Sequence, residues 1–383
     1  MTDPFVLVGD PTAPPANSNV AILADLAWSY HRSLRHYKPT PLRHVDQLAV
    51  ELGVRSLWVK DESPRFGLNA FKGLGASFAM HHWLATHEVQ GDAVFTTATD
   101  GNHGRAVAWM ARQLGLRAVI FMPAHSAPAR VAAIQNEGAK VVLVREGYGA
   151  AVQRARDAAT TNGWIVIQDT ATPEYTTVPA WIGAGYWTMA RELEPELHGA
   201  DRAELDVVLL HAGVGTWPAA MVEYYWNRYG SRRPKIVVVE PIEAACVLES
   251  VRAERPTLAT GSLRTIMAGL NCGFPSTTAL EVLRQSVDAF VAIPDHWAER
   301  AMRTLANGEP AVIAGESGAA SVAGLMAIMK DPAYRAVREH IGLGSGSRVL
   351  VWSTEGATDP AGWQRVVRRP LPQQAMNCHR SVE

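Results

Sequence analysis

Lys72 is the residue of this 383-residue chain whose surroundings point most directly to chemistry. It lies among small and apolar neighbours in residues 69–73, where a helix is predicted to begin. A lysine amine can form a Schiff base with an aldehyde, and it can carry a proton once that bond is exchanged. It must first lose its own proton, and burial among apolar residues favours that loss. A surface lysine on an amphipathic helix is the alternative interpretation.

A polar loop framed by glycines follows one predicted strand later. It contains Thr99, Asp100, Gly101, Asn102 and His103. Backbone N–H groups where such a loop meets a helix can bind an anion, and the loop could hold a planar ligand. An ordinary turn with a helix cap is the alternative. The order of lysine, strand and polar loop suits an enzyme that keeps an aldehyde cofactor on a lysine and binds a substrate carboxylate beside it.

A second loop could bind a phosphate group. Gly213, Val214, Gly215 and Thr216 follow a predicted strand and open a predicted helix. Glycines allow backbone N–H groups to converge on a phosphate, and a helix N-terminus adds favourable polarity. Taken alone, this turn fits a dinucleotide equally well. The third glycine and the downstream acidic residue of a dinucleotide-binding fingerprint are not evident, however.

Short β-branched runs alternate with helical patterns and predict an α/β fold. The first series of strands is predicted at 93–96, 118–121, 141–144 and 165–167. The second series is predicted at 206–210, 236–239, 290–293 and 349–352. Ligands bind at the carboxyl ends of parallel strands, and that is where the loops described above fall. Residues 1–20 show no period and predict an arm or a loose start.

Residues 65–73 and 99–104 resemble the signature of the fold type II, tryptophan-synthase-β-like, pyridoxal-phosphate enzymes. More narrowly, they resemble the diaminopropionate ammonia-lyases, and weaker matches extend over most of the chain. The resemblance implies two doubly wound, mostly parallel-sheet lobes with pyridoxal 5'-phosphate in the cleft between them. We expect residues 1–77 and 182–383 to form the large lobe. Residues 78–181 are then a small inserted lobe.

The resemblance also assigns roles to individual residues. It implies that Lys72 holds the cofactor and that the turn at residues 213–216 binds its phosphate. Asn102 should hydrogen-bond the ring hydroxyl, and either Ser353 or Thr354 could face the ring nitrogen. The substrate carboxylate should bind at the polar loop of Thr99, Asp100, Gly101, Asn102 and His103.

Two aspartates, Asp100 and Asp169, limit which reactions the site could catalyse. Serine and threonine dehydratases usually have a small uncharged residue where this chain has Asp100. A carboxylate there suits a substrate with a second positive charge, or a role in proton transfer. In ammonia-lyases of this type, the aspartate is thought to take the α-proton from one enantiomer while the lysine serves the other. Asp169 could hold the β-ammonium group of the substrate, although a helix cap or a buried structural carboxylate is almost as reasonable.

We therefore predict a carbon–nitrogen lyase that eliminates both amino groups of D- or L-2,3-diaminopropionate as ammonia and leaves pyruvate. The resemblance favours a homodimer. A serine or threonine dehydratase, or a β-replacement enzyme on another small amino acid, are the alternatives. Thr172 stands where the ammonia-lyases have an aromatic residue, which keeps the replacement reaction open. A catalytically silent binding protein is the alternative from another class.

The composition limits the partners. A net charge of −1 predicts no attraction to nucleic acid or to a membrane surface. Without a signal peptide or an apolar run of about 20 residues, a cytoplasmic protein is expected. Cys246, Cys272 and Cys378 lack the spacing of a metal site, so no metal is predicted. Cys246 and Cys272 lie in segments that resemble the family and could be neighbours, but free thiols are favoured.

Overall fold

The computed structural model describes residues 3–9, 11, 20–88, 92–197 and 205–372. Within these ranges the chain forms eleven strands in two sheets. The strands are β1 (Phe5–Leu7), β2 (Leu42–His44), β3 (Ser56–Asp61), β4 (Val94–Ala98), β5 (Arg117–Pro123), β6 (Lys140–Val144), β7 (Ile165–Val166), β8 (Val207–His211), β9 (Lys235–Pro241), β10 (Ala289–Ile293) and β11 (Arg348–Ser353).

Fifteen α-helices occur in the same described ranges. They are α1 (Val20–Ser33), α2 (Asp46–Leu52), α3 (Gly73–Thr86), α4 (Asn102–Gln113), α5 (Pro128–Asn136), α6 (Tyr148–Asn162), α7 (Thr177–Arg191), α8 (Glu194–Leu197), α9 (Thr216–Tyr229), α10 (Cys246–Arg252), α11 (Thr277–Ser286), α12 (Asp295–Asn307), α13 (Ala320–Lys330), α14 (Arg335–His340) and α15 (Pro360–Val367).

The larger sheet has seven strands in the order β1–β10–β9–β8–β11–β3–β2. The five inner strands are parallel, and β1 and β2 pair antiparallel at the two edges. Every residue of β8 and β10 is buried, as expected for parallel strands that are covered on both faces. Helix α13 packs across β8, β9, β10 and β11, and buries one of these faces.

The smaller sheet has four parallel strands in the order β6–β5–β4–β7. Helices α4 and α6 pack against β4 and β5. Helices α3 and α7 pack against each other, and α4 contacts α3. The loop after β4 therefore belongs to the smaller sheet, and the loop after β8 belongs to the larger sheet. A site that uses both loops needs contact between the two sheets' loops.

The predicted α/β class with two mostly parallel sheets is confirmed, and each predicted β-branched run forms a strand. The prediction for residues 1–20 is wrong at Phe5–Leu7, which pair with β10 as an edge strand. Three residues are too few to show a period, which explains the error. Residues 1–2, 10 and 12–19 lie outside the described residues. The lobe limits 1–77, 78–181 and 182–383 stay a prediction.

Candidate active site

Lys72 directly precedes α3 and lines a cavity whose walls come from the loops of both sheets. The segment before it is fastened to the end of β11. The N–H of Phe71 donates to the carbonyl of Thr354 at 3.1 Å, and Ala70 forms a single antiparallel bridge with Glu355. These backbone bonds fix where the Lys72 side chain enters the cavity.

A buried charge network holds the start of the same segment. The side chains of Lys60, Glu62, Arg65 and Glu192 are fully buried. Lys60 Nζ lies 2.7 Å from Glu192 Oε2, and Arg65 lies 2.8 Å from oxygens of both Glu62 and Glu192. Two cations thus balance two carboxylates. Because removal of one partner would leave a charge buried without compensation, the network fixes Arg65 and the turn that leads to Lys72.

Asp169 is the partner of Lys72. The Nζ of Lys72 lies 2.7 Å from Oδ2 of Asp169, and the two side chains are only 19% and 9% exposed. Burial is the largest single effect and lowers the pKa of Lys72, but Asp169, with smaller contributions from Tyr186 and Cys272, raises it above its usual value. Burial raises the pKa of Asp169, but Lys72 and then His103 hold it well below its usual range. Burial therefore acts on the pKa of Lys72 in the direction that its apolar neighbours predicted, and the net upward shift comes from the several opposing effects together.

The polar loop after β4 lies in the same cavity. Thr99 Oγ1 accepts hydrogen bonds from the N–H groups of Gly101 at 2.9 Å and Gly104 at 3.2 Å, which gives the loop its tight form. Helix α4 begins at Asn102, whose amide group contacts the Glu355 carboxylate after β11. Asn102 thus connects loops from the two sheets across the cavity.

His103 faces Asp169 from the small sheet. Its Nε2 lies 2.7 Å from the carbonyl oxygen of Ile167, and its Nδ1 lies 3.9 Å from Asp169 Oδ2. Burial lowers the pKa of His103, with a smaller opposing effect from Asp169. His103 therefore lies beside Asp169 in the lining of the cavity, without a hydrogen bond to it.

Asp100 lines the cavity at the mouth of the polar loop. Burial raises the pKa of Asp100 to about 6, although the charges of Arg130 and His125 act in the opposite direction. A carboxyl group that titrates near neutral pH can accept a proton as a general base. Lys72 and Asp100, the two residues predicted as bases, line the same cavity.

The glycine turn is the N-terminus of α9. β8 ends at His211 and α9 begins at Thr216, so Ala212, Gly213, Val214 and Gly215 connect them. Gly215 has φ of +96°, a conformation that glycine adopts without strain. The hydroxyl of Thr216 donates to the backbone carbonyl of Asp169 at 2.6 Å. A turn of this kind at a helix N-terminus suits a phosphate group.

The end of β11 distinguishes Ser353 from Thr354, the two alternatives for the residue that faces the ring nitrogen. Thr354 is among the described residues that line the cavity, whereas Ser353 is not. Thr354 Oγ1 lies 2.7 Å from Nε2 of His211, which also lines the cavity. Burial and the nearby Lys72 lower the pKa of His211 to about 3, so its ring is neutral. A neutral hydroxyl–imidazole pair therefore occupies this wall, and Thr354 is the better candidate for the ring nitrogen.

Several cavity residues were not named as site residues from the sequence. They are Arg130, Tyr148, His211, Trp217, Cys272, Ser317 and Glu355. His211 and Glu355 flank strand ends, so the strand-end rule could have found them. Tyr148 begins α6 and hydrogen-bonds the Gln168 side chain at 3.2 Å, so it gives the cavity an aromatic ring. Thr172 is outside the described lining and pairs with Tyr175.

Two cysteines lie beside the glycine turn, and both are free thiols. Cys272 lines the cavity, and the Sγ of buried Cys246 lies 3.6 Å from the carbonyl oxygen of Gly213. A methyl group on Gly213 would come within 2.9 Å of Cys272 Sγ, so this part of the turn is tightly packed. Cys378 lies outside the described residues.

In the described part of the chain, no group of three or more His, Cys, Asp or Glu side chains could hold a metal ion.

These side chains fit pyridoxal phosphate. Lys72 supplies the amine, the turn before α9 supplies a phosphate site, and Thr354 supplies a neutral hydroxyl. The buried Nδ1 of His211 also lacks a hydrogen-bond partner among the described residues, which leaves a polar atom available in the same wall.

Among the helices of the described residues, none combines the length and apolarity that crossing a membrane requires.

Comparisons with known proteins agree with this geometry. The family described as pyridoxal-phosphate dependent enzyme matches residues 34–351. The diaminopropionate ammonia-lyase of Salmonella typhimurium is 38% identical over 364 residues, which cover 88% of this chain and 90% of the relative. The protein of the same name from Escherichia coli K12 is 38% identical over 366 residues, which cover 90% of this chain and 91% of the relative.

Solved structures give the same result. A crystal structure of the Escherichia coli diaminopropionate ammonia lyase, in complex with an aminoacrylate–PLP azomethine reaction intermediate, matches with a TM-score of 0.87 and 37% identity. The match covers 96% of this chain and 97% of that one. A threonine deaminase from Solanum lycopersicum, with a TM-score of 0.75, 19% identity and coverage of 96% and 98%, shares the fold alone. The chain belongs to the family of pyridoxal-phosphate-dependent enzymes, and within it to the diaminopropionate ammonia-lyases.

Proposed function

We propose that this protein converts 2,3-diaminopropionate and water into pyruvate and two molecules of ammonia. The chain is a pyridoxal-phosphate-dependent carbon–nitrogen lyase by family, and its relatives' names give the substrate. The observation that carries the proposal is the 2.7 Å contact between Lys72 and Asp169. A carboxylate that holds one ammonium group in this cavity can hold the β-ammonium group of a diamino acid.

When bound, pyridoxal phosphate supplies an aldehyde for the substrate amine and an electron sink for the electrons of the α-carbon–hydrogen bond. Lys72 would hold it until the substrate amine takes its place. The N–H groups of Gly213, Val214, Gly215 and Thr216 would bind the phosphate at the start of α9. Thr354 would face the ring nitrogen as a neutral partner, and Asn102 would lie toward the ring hydroxyl.

The chain's own groups then move the protons. Lys72 Nζ, once it has lost its own proton, takes the α-proton of one enantiomer, and the Asp100 carboxylate takes that of the other. Asp169 holds the β-ammonium group, whose bond to carbon breaks as the α-proton is lost. Ammonia leaves, and the released aminoacrylate takes up water to give pyruvate and the second ammonia. No oxidant or reductant is needed, because elimination and hydrolysis balance all atoms and electrons.

The remaining predictions about the whole protein are supported by the resemblance and by the composition. We infer a homodimer, a cytoplasmic location and a substrate site at Thr99, Asp100, Gly101, Asn102 and His103. The two-lobe division at residues 1–77, 78–181 and 182–383 agrees with the separation of the strands into two sheets. These four statements stay proposals.

The test is turnover of D- and L-2,3-diaminopropionate by the cofactor-loaded protein, with serine and threonine measured alongside. We expect pyruvate from diaminopropionate far faster than 2-oxo acids from serine or threonine. The variant Lys72→Arg is the control, because it keeps a cation beside Asp169 but removes the reactive amine. Faster turnover of serine or threonine would make the protein a dehydratase and would refute the proposal.

A further inference from the structure

Arg130 is a buried cation in the cavity that none of the proposed steps uses. It lies in the first turn of α5 and is 9% exposed. Its side chain lines the cavity together with Lys72 and Asp100. The stem crosses Gly101, where a methyl group would come within 2.9 Å of Arg130 Cδ. Glycine at this position therefore makes room for the arginine beside the polar loop.

The guanidinium group of Arg130 forms no close ion pair in the described part of the chain, although its charge acts on the carboxyl groups of Asp100 and Glu316. Three other buried or half-buried arginine side chains, Arg65, Arg105 and Arg233, each form an ion pair with a carboxylate. For Arg130, no ion pair occurs within the described residues, and its buried Nε has no hydrogen-bond partner there. A cation in the first turn also stands at the positive end of the helix dipole. An anion bound close to Arg130 would therefore stabilise the guanidinium group in this position.

The polar loop beside Arg130 has a matching set of donors. The N–H of Thr99 already donates to the carbonyl of Phe121, and that of Gly101 donates to Thr99 Oγ1. The N–H groups of Asn102 and His103 belong to the first turn of α4, where the helix itself supplies no acceptor. An anion between Arg130 and the start of α4 would meet donors from both sides.

Asp100 makes such a cation necessary. Its carboxylate lines the same cavity and would repel the carboxylate of an amino-acid substrate. A guanidinium group beside it offsets this repulsion, and the effect of Arg130 on the pKa of Asp100 shows that the two groups interact. We propose that Arg130, together with the start of α4, binds the α-carboxylate of the substrate and so selects α-amino acids. This rests on the proposed function only for the identity of the amino acid.

The test uses a substrate analogue that binds but cannot undergo elimination. α-Methyl-2,3-diaminopropionate has no α-proton, and its carboxamide has no carboxylate charge. The dissociation constants of both compounds are measured by calorimetry on the cofactor-loaded wild type, Arg130→Gln and Arg130→Lys. Arg264→Gln is the matched control, because Arg264 is exposed and lines the outer vestibule but not the cavity.

We expect the wild type and Arg264→Gln to bind the acid about ten- to hundredfold more tightly than the carboxamide, as for a charge-assisted hydrogen bond. Arg130→Gln should bind the two compounds with nearly equal affinity, because its affinity for the acid falls while its affinity for the carboxamide is unchanged. Arg130→Lys should recover part of the preference, because lysine keeps the charge but not the planar fork. An Arg130→Gln variant that keeps the full wild-type preference for the acid would overturn the proposal.

Measurements of turnover distinguish a failure of the Arg130 proposal from a failure of the proposed function. Pyruvate release from 2,3-diaminopropionate by the wild type tests the reaction and does not involve the substitution. If the wild type lacks that activity, 2,3-diaminopropionate is not the substrate and the proposed function fails. The binding preference for the acid over the carboxamide still tests the role of Arg130 in that case. With an active wild type, KM for diaminopropionate should rise about ten- to hundredfold in Arg130→Gln while kcat changes less. A loss confined to kcat would contradict a binding role.

Discussion

Lys72 Nζ and Asp169 Oδ2 lie 2.7 Å apart, although the two residues belong to segments that follow strands of different sheets. The backbone of Asp169 is held in turn by the hydroxyl of Thr216, at the start of α9. One aspartate therefore links the reactive amine to the turn that suits the cofactor phosphate. This relationship explains why neither sheet alone could form the site.

Asp169→Asn should damage elimination of an amine more than elimination of a better leaving group. The amide cannot attract the β-ammonium group, so we expect turnover of 2,3-diaminopropionate to fall by about 10²–10⁴. β-Chloroalanine loses chloride, which needs no such partner, and its turnover should fall less than about tenfold. Both rates are measured as pyruvate release. Asp157→Asn, at an exposed residue of α6, is the control. Equal losses on the two substrates would show that Asp169 serves only to hold Lys72.

Asp100→Asn should distinguish the enantiomers of diaminopropionate. If Asp100 and Lys72 each take the α-proton of one enantiomer, the amide removes only one of the two bases. We expect kcat/KM to fall by about 10²–10⁴ on one enantiomer and by much less on the other. Separate assays with D- and L-2,3-diaminopropionate measure this ratio. Equal losses on both would exclude the two-base mechanism.

The pKa of Asp100 predicts an acidic limb in the pH profile of the enantiomer it serves. Burial raises this pKa to about 6, and only the ionised carboxylate accepts a proton. Activity should thus be complete well above pH 6 and fall roughly tenfold for each pH unit below it. The charge of Arg130 lowers this pKa, so Arg130→Gln should move the limb to higher pH. Profiles of kcat/KM between pH 5 and 9 measure the limb. A limb that persists in Asp100→Asn would assign it to another group.

Glu192→Gln should destabilise the protein because it breaks a fully buried charge network. Glu192 contacts both Lys60 and Arg65, and its loss leaves their charges poorly compensated. We expect the free energy of unfolding to fall by about 3–5 kcal/mol. The control is Glu339→Gln, which breaks an exposed pair with Arg335 and should cost less than about 1 kcal/mol. Denaturant unfolding of the cofactor-loaded protein measures both. A Glu192→Gln loss as small as that of the control would contradict the role of the network.

The sequence predicted the strands well where period and composition agree. The inner strands of both sheets are apolar runs, and these determine the α/β class. β3 was missed because its buried side chains include Lys60 and Asp61, which look like surface residues until their partners are known. β1 and β2 have three residues each and carry no period.

The site was predictable to the extent that its residues lie in motifs. The turns around Lys72, Asn102 and Gly213 were recognisable because their spacing is local. Arg130 and Tyr148 reach the cavity from the starts of two helices, and only the order of strands in the small sheet brings them there. The opposing effect of Asp169 on the pKa of Lys72 was not predicted for the same reason, since this partner is distant in sequence.

The most direct test of the central claim is the ratio of ammonia to pyruvate formed from 2,3-diaminopropionate. The wild-type protein, loaded with pyridoxal phosphate, is given a limiting amount of either enantiomer, and both products are quantified at completion. Elimination followed by hydrolysis predicts two molecules of ammonia for each pyruvate. One molecule of ammonia without pyruvate, together with a new amino acid when a nucleophile is added, would contradict the account and establish β-replacement.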